Sequence, residues 1–384
     1  MIKFNVSVVL GIRPDYIRTS KVLKLLKAHP QINATFISTG QHYDHSLKGV
    51  FLDQLGLPEP DITLDTKGNT HCQQHSKLIE QLEKALLKTK PDVCLFLGDA
   101  NAVIGCIAPL KMGIPIAHIE AGMRSYDWRM PEERNRVIID RVSDVLYVYH
   151  NNYKCNLVRE GINPSRVEVV GNVIVDVLQD YSYERFIGWP NVSIEHNVDD
   201  MEYSLLTMHR SENVGNKELA QKYINAVAKT CELLKIKKII LPAMPRLMAL
   251  NLTLPTTVKF NVIEPLGFFE FVALEEHAKI EFTDSGTNQE VAAILGIPCV
   301  VLRSCTERPE CLEVGNNLMA SQPDDVYTSA AKAIKGEINK DFSLGDGRSS
   351  ERIVEDLVRR LNGDIFLKMR LNPALDYEVM SHLA

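Results

Sequence analysis

Apolar runs that stop at a polar cluster, each followed by a helix-length amphipathic stretch, recur along this chain and start afresh near its middle. "FNVSVVLG" ends at Gly11 and leads into "DYIRTSKVLKLLKAH", where Ile17, Leu23, Leu25 and Leu26 suit one helical face. "NATFISTG", "PDVCLFLGD", "IPIAHIE" and "VLYVY" read as further strands. "HSLKGVFLDQLG", "HCQQHSKLIEQLEKALLKTK", "AVIGCIAPLKMG" and "PEERNRVIIDRVSD" read as the helices among them. Apolar strands alternating with helices imply a parallel sheet covered on both faces. After a polar stretch, "YERFIGWPNVSIEHNVDDME", read as a linker, the alternation resumes. The strands are then "YSLLTMH", "KKIILPA", "VKFNVIEP", "KIEFTD" and "PCVVLR", and the helices "NKELAQKYINAVAKTCELLK", "GFFEFVALEEHA" and "TNQEVAAILG". A length of 384 residues suits two cores better than one. The expected architecture is α/β, with two Rossmann-like parallel-sheet domains over 1–178 and 179–363 and an active-site cleft between them. The helix "SERIVEDLVRRLNG" is placed in the second domain, and 364–384 is expected to return onto the first.

Composition excludes several classes. The chain is 45% apolar and 24% charged, as soluble globular proteins are. No stretch approaches the roughly 20 apolar residues of a membrane span. The apolar start is too short for a signal peptide and lacks a small-residue cleavage site. A net charge of -6 offers no general basis for binding nucleic acid. None of the eight cysteines forms a C-x-x-C pair or has zinc-ligand spacing with a histidine. The expectation is a cytoplasmic protein with buried free thiols, no metal site, and no nucleic-acid or membrane partner.

In open parallel sheets ligands bind beyond the carboxyl ends of the strands. Nearly every strand of this chain ends in a polar cluster. Gly11, Arg13 and Arg18 follow the first, and "TGQHYDHS" the second. Asp99 and Asn101 come after "VCLFLG"; His118, Glu120, Arg124, Glu132 and Glu133 come with and after "IPIA". His209, Arg210 and Glu212 follow "LLTM", Asp284, Ser285 and Gly286 follow "KIEFT", and Arg303 and "TERPE" follow "PCVVL". Clustered carboxylates push one pKa upward and create an acid-base pair near neutral pH, a role open to Asp99, Glu120 and Glu132. Arg13, Arg18, His209, Arg210 and Arg303 supply positive charge. Ser285-Gly286 at a helix start offers free backbone N–H groups to a phosphate. Together they point to a diphosphate and to proton transfer on its attached group.

Each motif alone has a plainer reading. "GIRP" could be an ordinary turn, Asp99 a helix cap, and His209 a core histidine. Glu132 and Arg136, at i,i+4 behind Pro131, could form a surface ion pair. Co-occurrence at the same edge of both sheets favours function.

"GIRPDYIR", "TGQHYDHSL", "LGDANAVIG", "HIEAGMRS…MPEERNR", "VVGNVIVD", "MHRSENV", "TDSGTNQE" and "LRSCTERPE…VGN" resemble, in this order, the UDP-N-acetylglucosamine 2-epimerase family. The resemblance spans roughly residues 3–320. It implies a GT-B fold, a homodimer, a UDP-sugar substrate, and no metal or redox cofactor. It also implies elimination of UDP to a 2-acetamidoglucal and re-addition with protonation on the other face. The family's acid-base carboxylates fall on Asp99, Glu120 and Glu132, and its catalytic His on His209. UDP-sugar contacts fall on Arg13, Arg18, Arg136, Arg210, Ser285, Gly286, Glu290, Arg303 and Arg308. A regulatory set would comprise Gln41, His42, Lys67 and Met244. The sequence departs from the family pattern in Val291 where a ribose-binding Glu is common, Met244 in place of a His, and Arg18 in place of a Lys. The reading is a non-hydrolysing epimerase acting for surface polysaccharide. Its rivals are a 2-epimerase of a diacetamido-uronate or deoxy-amino sugar, a hydrolysing epimerase, and a GT-B glycosyltransferase. A uronate would need an extra cation, which Arg124 or Arg129 could supply unless they pair with Glu132 or Glu133.

Overall fold

The computed structural model describes residues 3–40, 52–198, 201–336, 338–339 and 344–366. The chain divides into two compact units, Met1–Val177 with Gly345–Ala384, and Leu178–Leu344. The first contains seven parallel strands: Phe4–Leu10 (β1), Ile32–Ser38 (β2), Ile62–Thr63 (β3), Val93–Leu97 (β4), Ile116–Ile119 (β5), Val145–Val148 (β6) and Val167–Val169 (β7). The second contains six: Tyr203–Thr207 (β8), Lys238–Pro242 (β9), Lys259–Ile263 (β10), Ile280–Thr283 (β11), Cys299–Val301 (β12) and Asn317–Met319 (β13). The central strands are buried along their whole length, as "VCLFL" in β4 and "YSLLT" in β8 require of a sheet covered on both faces.

The strand orders are β3-β2-β1-β4-β5-β6-β7 and β10-β9-β8-β11-β12-β13. Each order reverses once, between β1 and β4 and between β8 and β11. Successive connections leave in opposite directions at those points, which opens a crevice at the carboxyl ends of the strands. Register sets the two lips level: Val9 lies opposite Phe96, and Thr207 opposite Thr283.

Three sequence expectations change. The polar stretch read as a linker is mostly the helix Ser182–His196, which packs on the helix Phe268–Glu276. Its buried residues include Arg185 and His196 while Phe186, Ile187 and Ile194 are exposed, so no apolar face marks it as a helix in the sequence. Trp189 stacks on His277 with ring centroids 3.9 Å apart. Next, the helix Ser349–Asn362 belongs to the first unit, whereas its position in the sequence assigns it to 179–363. Its first-turn N–H groups, those of Ser349 and Ser350, donate to buried Asp176 at 3.1 and 2.6 Å. Its Asp356 accepts the Tyr147 hydroxyl of β6 at 3.1 Å, and Arg360 reaches Glu168 of β7 at 2.7 Å. The expected return of 364–384 falls almost entirely outside the described residues, as does most of the helix read in "HSLKGVFLDQLG". Finally, β7 and β13 escape a reading by pattern because each has three residues and neither sits in an apolar run like the one that marks equally short β12.

The turn leaving β1 is built on a buried carboxylate. Asp15, in the first turn of the helix Arg13–Ala28, accepts from Gly11 N and Ile12 N at 2.9 and 3.0 Å, both on Oδ2. Burial pushes its carboxyl up to about 7, against the pull of those two N–H groups and with a further push from Asp99. The folded chain therefore keeps a proton that the unfolded chain releases above its ordinary value of 3.8. Stability is lost as pH rises through that window, by about 4 kcal/mol at full extent. Asp15→Asn keeps an acceptor for both N–H groups but does not titrate. Melting temperatures of variant and wild type at about pH 5 and about pH 8 check this. The variant should gain on the wild type at the higher pH, and a constant offset contradicts the assignment.

Candidate active site

In the first unit the crevice between β1 and β4 is ringed by paired charges. Gly98, at φ +75, turns the chain out of β4 and presents Asp99. Arg136, from the helix Pro131–Val142, ion-pairs with Asp99 and also reaches Glu133 at 3.0 Å. Glu133 is buried and accepts Ser125 N and Tyr126 N at 3.0 Å and Ser125 Oγ at 3.1 Å, so it pins the loop "SYDWRM" to the helix start. The i,i+4 pair of Glu132 with Arg136 does not form. Arg136 turns instead to Asp99 and Glu133, and half-buried Glu132 stands in the first turn. Neither Arg124 nor Arg129 pairs with Glu132 or Glu133 as the sequence allowed. Arg124 binds Asp140 and Glu160, at 2.8 and 2.7 Å, and Arg129 binds Asp127 at 2.7 Å.

Glu120 leaves β5 in the left-handed region at φ +72, a conformation that costs a non-glycine residue of order 1–3 kcal/mol. Its buried carboxylate ion-pairs with Arg18, and the Tyr149 hydroxyl donates to it at 3.4 Å. Arg13, half-buried, opens the helix that carries Arg18. Asp15 was missed at this edge by sequence reasoning, which passed over it for the neighbouring arginines. Its signal was a carboxylate three residues after a strand-end turn, the position where it can accept the turn's N–H groups.

In the second unit one buried carboxylate organises the crevice between β8 and β11. Asp284 accepts His209 N at 3.0 Å, Arg210 N at 3.0 Å and Asn213 Nδ2 at 3.0 Å, and it stands 3.2 Å from His209 Nδ1. Thr207 and Thr283 share a 2.6 Å hydrogen bond beneath it. The His209 side chain keeps 37% exposure, enough to meet a ligand. Its pKa is lowered by removal from water, with Arg210 and Arg246 adding to the effect and Asp284 opposing it. Near neutral pH its imidazole is uncharged.

Beside it, Ser285 caps the helix Gly286–Leu295 by accepting Asn288 N at 3.4 Å. A Cβ at Gly286 would collide with the guanidinium of Arg308, so glycine here lets that side chain lie over the helix start. Arg308 is held by Glu290 at 3.2 Å and Glu307 at 2.5 Å. Glu307 also takes Arg303 at 2.8 Å and Arg210 at 3.4 Å. Three guanidinium groups thus converge on two buried carboxylates beside a helix N-terminus, with Glu212 a further 4.0 Å from Arg303, an arrangement of N–H donors suited to a diphosphate. Glu290 lies beneath Arg308, fully buried. Glu307, quoted within "TERPE" but assigned no role, is the second omission. Only its convergence with three arginines reveals it.

Of the residues the resemblance implies for regulation, two fall among the described residues. Gln41 and His42 lie outside them, Lys67 is exposed in the first unit, and Met244 packs against the core of the second. Among the described residues no group of three or more His, Cys, Asp and Glu side chains could hold a metal ion, and no helix is long and apolar enough to cross a membrane.

The family model described as UDP-N-acetylglucosamine 2-epimerase matches residues 24–358. The UDP-N-acetylglucosamine 2-epimerase of Methanocaldococcus jannaschii is 39% identical over 92% of this chain and 98% of its own. The UDP-2,3-diacetamido-2,3-dideoxy-D-glucuronate 2-epimerase of Pseudomonas aeruginosa is 33% identical over 91% of this chain and 98% of its own. Among solved structures, the M. jannaschii UDP-GlcNAc 2-epimerase in complex with UDP-GlcNAc and UDP aligns with a TM-score of 0.85 at 37% identity, over 92% of this chain and 99% of that one. The two parallel-sheet units are accordingly of the GT-B type. This chain belongs to the UDP-N-acetylglucosamine 2-epimerase family.

Proposed function

We propose that the chain interconverts UDP-N-acetylglucosamine and UDP-N-acetylmannosamine without hydrolysing either, supplying surface polysaccharide synthesis. One observation carries this reading. A chain of this family bears a carboxylate-rich crevice in one unit and an arginine-covered helix start in the other. The C2 hydrogen of the sugar is not acidic, so its removal is coupled to departure of UDP from C1. A carboxylate among Asp99, Glu120 and Glu132 takes the C2 proton. The C–H electron pair becomes the C1–C2 double bond, and the C1–O bond breaks with its pair leaving on UDP. Re-addition of UDP, with a proton delivered to the opposite face of C2, completes the inversion. The steps balance without an oxidant or reductant.

Arg210, Arg303 and Arg308, with Ser285 and the N–H groups at Gly286, stabilise the charge that grows on the leaving diphosphate. Uncharged His209 donates to it, and Glu290 works by holding Arg308. Arg13, Arg18 and Arg136 hold the sugar-side carboxylates and substrate in place. The uronate named for the Pseudomonas relative carries a further carboxylate and needs a spare cation by the sugar. Arg124 is buried and committed to Asp140 and Glu160, which supports the neutral sugar as substrate. Eight free thiols support a reducing cytoplasm. Exposed Leu87 and Leu110, on two contacting helices of the first unit, support a homodimer.

Proton NMR of the protein with UDP-GlcNAc in D2O tests the reaction. UDP-ManNAc carrying deuterium at C2 is expected. Free ManNAc with UDP places the chain among hydrolysing epimerases, and no turnover of bound substrate overturns the assignment of the sugar. Gly286→Ala tests the diphosphate site, because it displaces Arg308. UDP affinity by calorimetry should fall about tenfold or more, at ~1.4 kcal/mol per tenfold, and unchanged affinity removes Arg308 from the site.

A further inference from the structure

Behind the proposed acid-base carboxylates lies a largely buried charged network that takes no direct part in the reaction. His118, on β5, points its Nε2 at the carbonyl oxygen of Gly98 at 2.8 Å and its Nδ1 at Asp140 Oδ1 at 2.7 Å. Asp140 Oδ2 accepts Gly122 N at 3.0 Å and Arg124 Nη1 at 2.8 Å. Arg124 in turn grips Glu160 with two hydrogen bonds of 2.9 and 2.7 Å. Burial alone would raise the Asp140 carboxyl, but His118 and Arg124 hold it below its ordinary value.

The placement of these bonds is informative. Gly98 immediately precedes Asp99, and Gly122 follows Glu120 by two residues. Asp140 sits on the helix Pro131–Val142 that carries Glu132 and Arg136. Gly122 is at φ +77, and a Cβ there would lie 2.6 Å from the Tyr153 carbonyl oxygen, so this loop cannot drift outward without losing its packing. One His–Asp pair is therefore bonded to every segment that bears a proposed acid-base carboxylate. Burying such a pair in a sheet core is expensive compared with apolar packing. Its return is the fixed spacing of groups that must act in turn on opposite faces of one carbon.

We propose that His118 and Asp140 are positioning residues that set the mutual placement of Asp99, Glu120 and Glu132. This rests on the epimerase reading above. If the spacing loosens, UDP elimination and re-addition lose their match. The intermediate glycal then escapes with UDP before it is protonated on the second face.

The test compares wild type with His118→Gln, His118→Asn and Asp140→Asn on UDP-GlcNAc. It follows kcat, KM, melting temperature, and UDP released per epimerisation. The expected result is a fall in kcat on the order of 100-fold for His118→Asn, which loses the Gly98 contact. KM should move less than about threefold, and released UDP should rise. His118→Gln, whose amide can still reach Gly98, should recover part of the rate. Unchanged kcat and unchanged UDP release in all three variants, with only the melting temperature lowered, leave the pair a structural role and overturn the proposal. Asp140→Asn keeps the proposal falsifiable should either His118 variant fail to fold. A wild type that epimerises nothing overturns the epimerase reading and this proposal with it.

Discussion

A parallel sheet covered by helices on both faces leaves charged side chains one place to gather, the ends of its strands. The central strands are filled mainly by Val, Leu, Ile and Phe, as "VCLFL" in β4 shows, and their backbone polar groups pair along the sheet. Chemistry is pushed to the carboxyl edge, and the reversal of strand order decides where along that edge a ligand can enter. In this chain the reversals fall at β1/β4 and β8/β11, and the residues just beyond them are Asp15, Asp99, His209 and Asp284. The rest of the site is arranged around those positions.

The two crevices use the same device with opposite sign. In the first, carboxylates face the crevice, each with an arginine partner: Glu120 with Arg18, Asp99 with Arg136. In the second, arginines face it, steadied by Glu290 and Glu307 from below. Buried ion pairs contribute little net stability after desolvation, and breaking one strands a charge, so their persistence is better explained by the geometry they impose. Carboxylates beside cations suit proton transfer, and guanidinium groups over a helix start suit a leaving diphosphate. The left-handed backbone at Glu120 belongs to the same logic, since strain of this kind persists where surrounding contacts over-determine it.

Similarity to the M. jannaschii and P. aeruginosa proteins concerns the shared framework and leaves substrate choice to local pairing. Here the informative residue is Arg124, just before the loop "SYDWRM". Whether an arginine greets a substrate or serves a neighbouring carboxylate cannot be read from its position in the chain. Arg124 is committed to Asp140 and Glu160, and that commitment bears on specificity more than its presence does.

Periodicity along the chain determined most of the strands, most of the helices and the doubled α/β plan, because apolar spacing and strand-end polarity are local properties. They also marked Asp99, Glu120, His209 and Ser285 as strand-end residues. Local patterns failed where no apolar run or apolar face existed to read, as in the short β7 and β13 and in the helix Ser182–His196, whose apolar residues are largely exposed. Only the tertiary structure decided which charges meet. Arg18 finds Glu120 across more than a hundred residues, Arg136 passes over Glu132 for Asp99, and Glu307 draws in three arginines from two separate strand ends. It also moved the helix Ser349–Asn362 to the first unit, through Asp176 and Glu168. The physical reason is common to all of these. Hydrophobic patterning acts between near neighbours, whereas a buried charge takes whichever partner the completed fold brings within hydrogen-bonding distance.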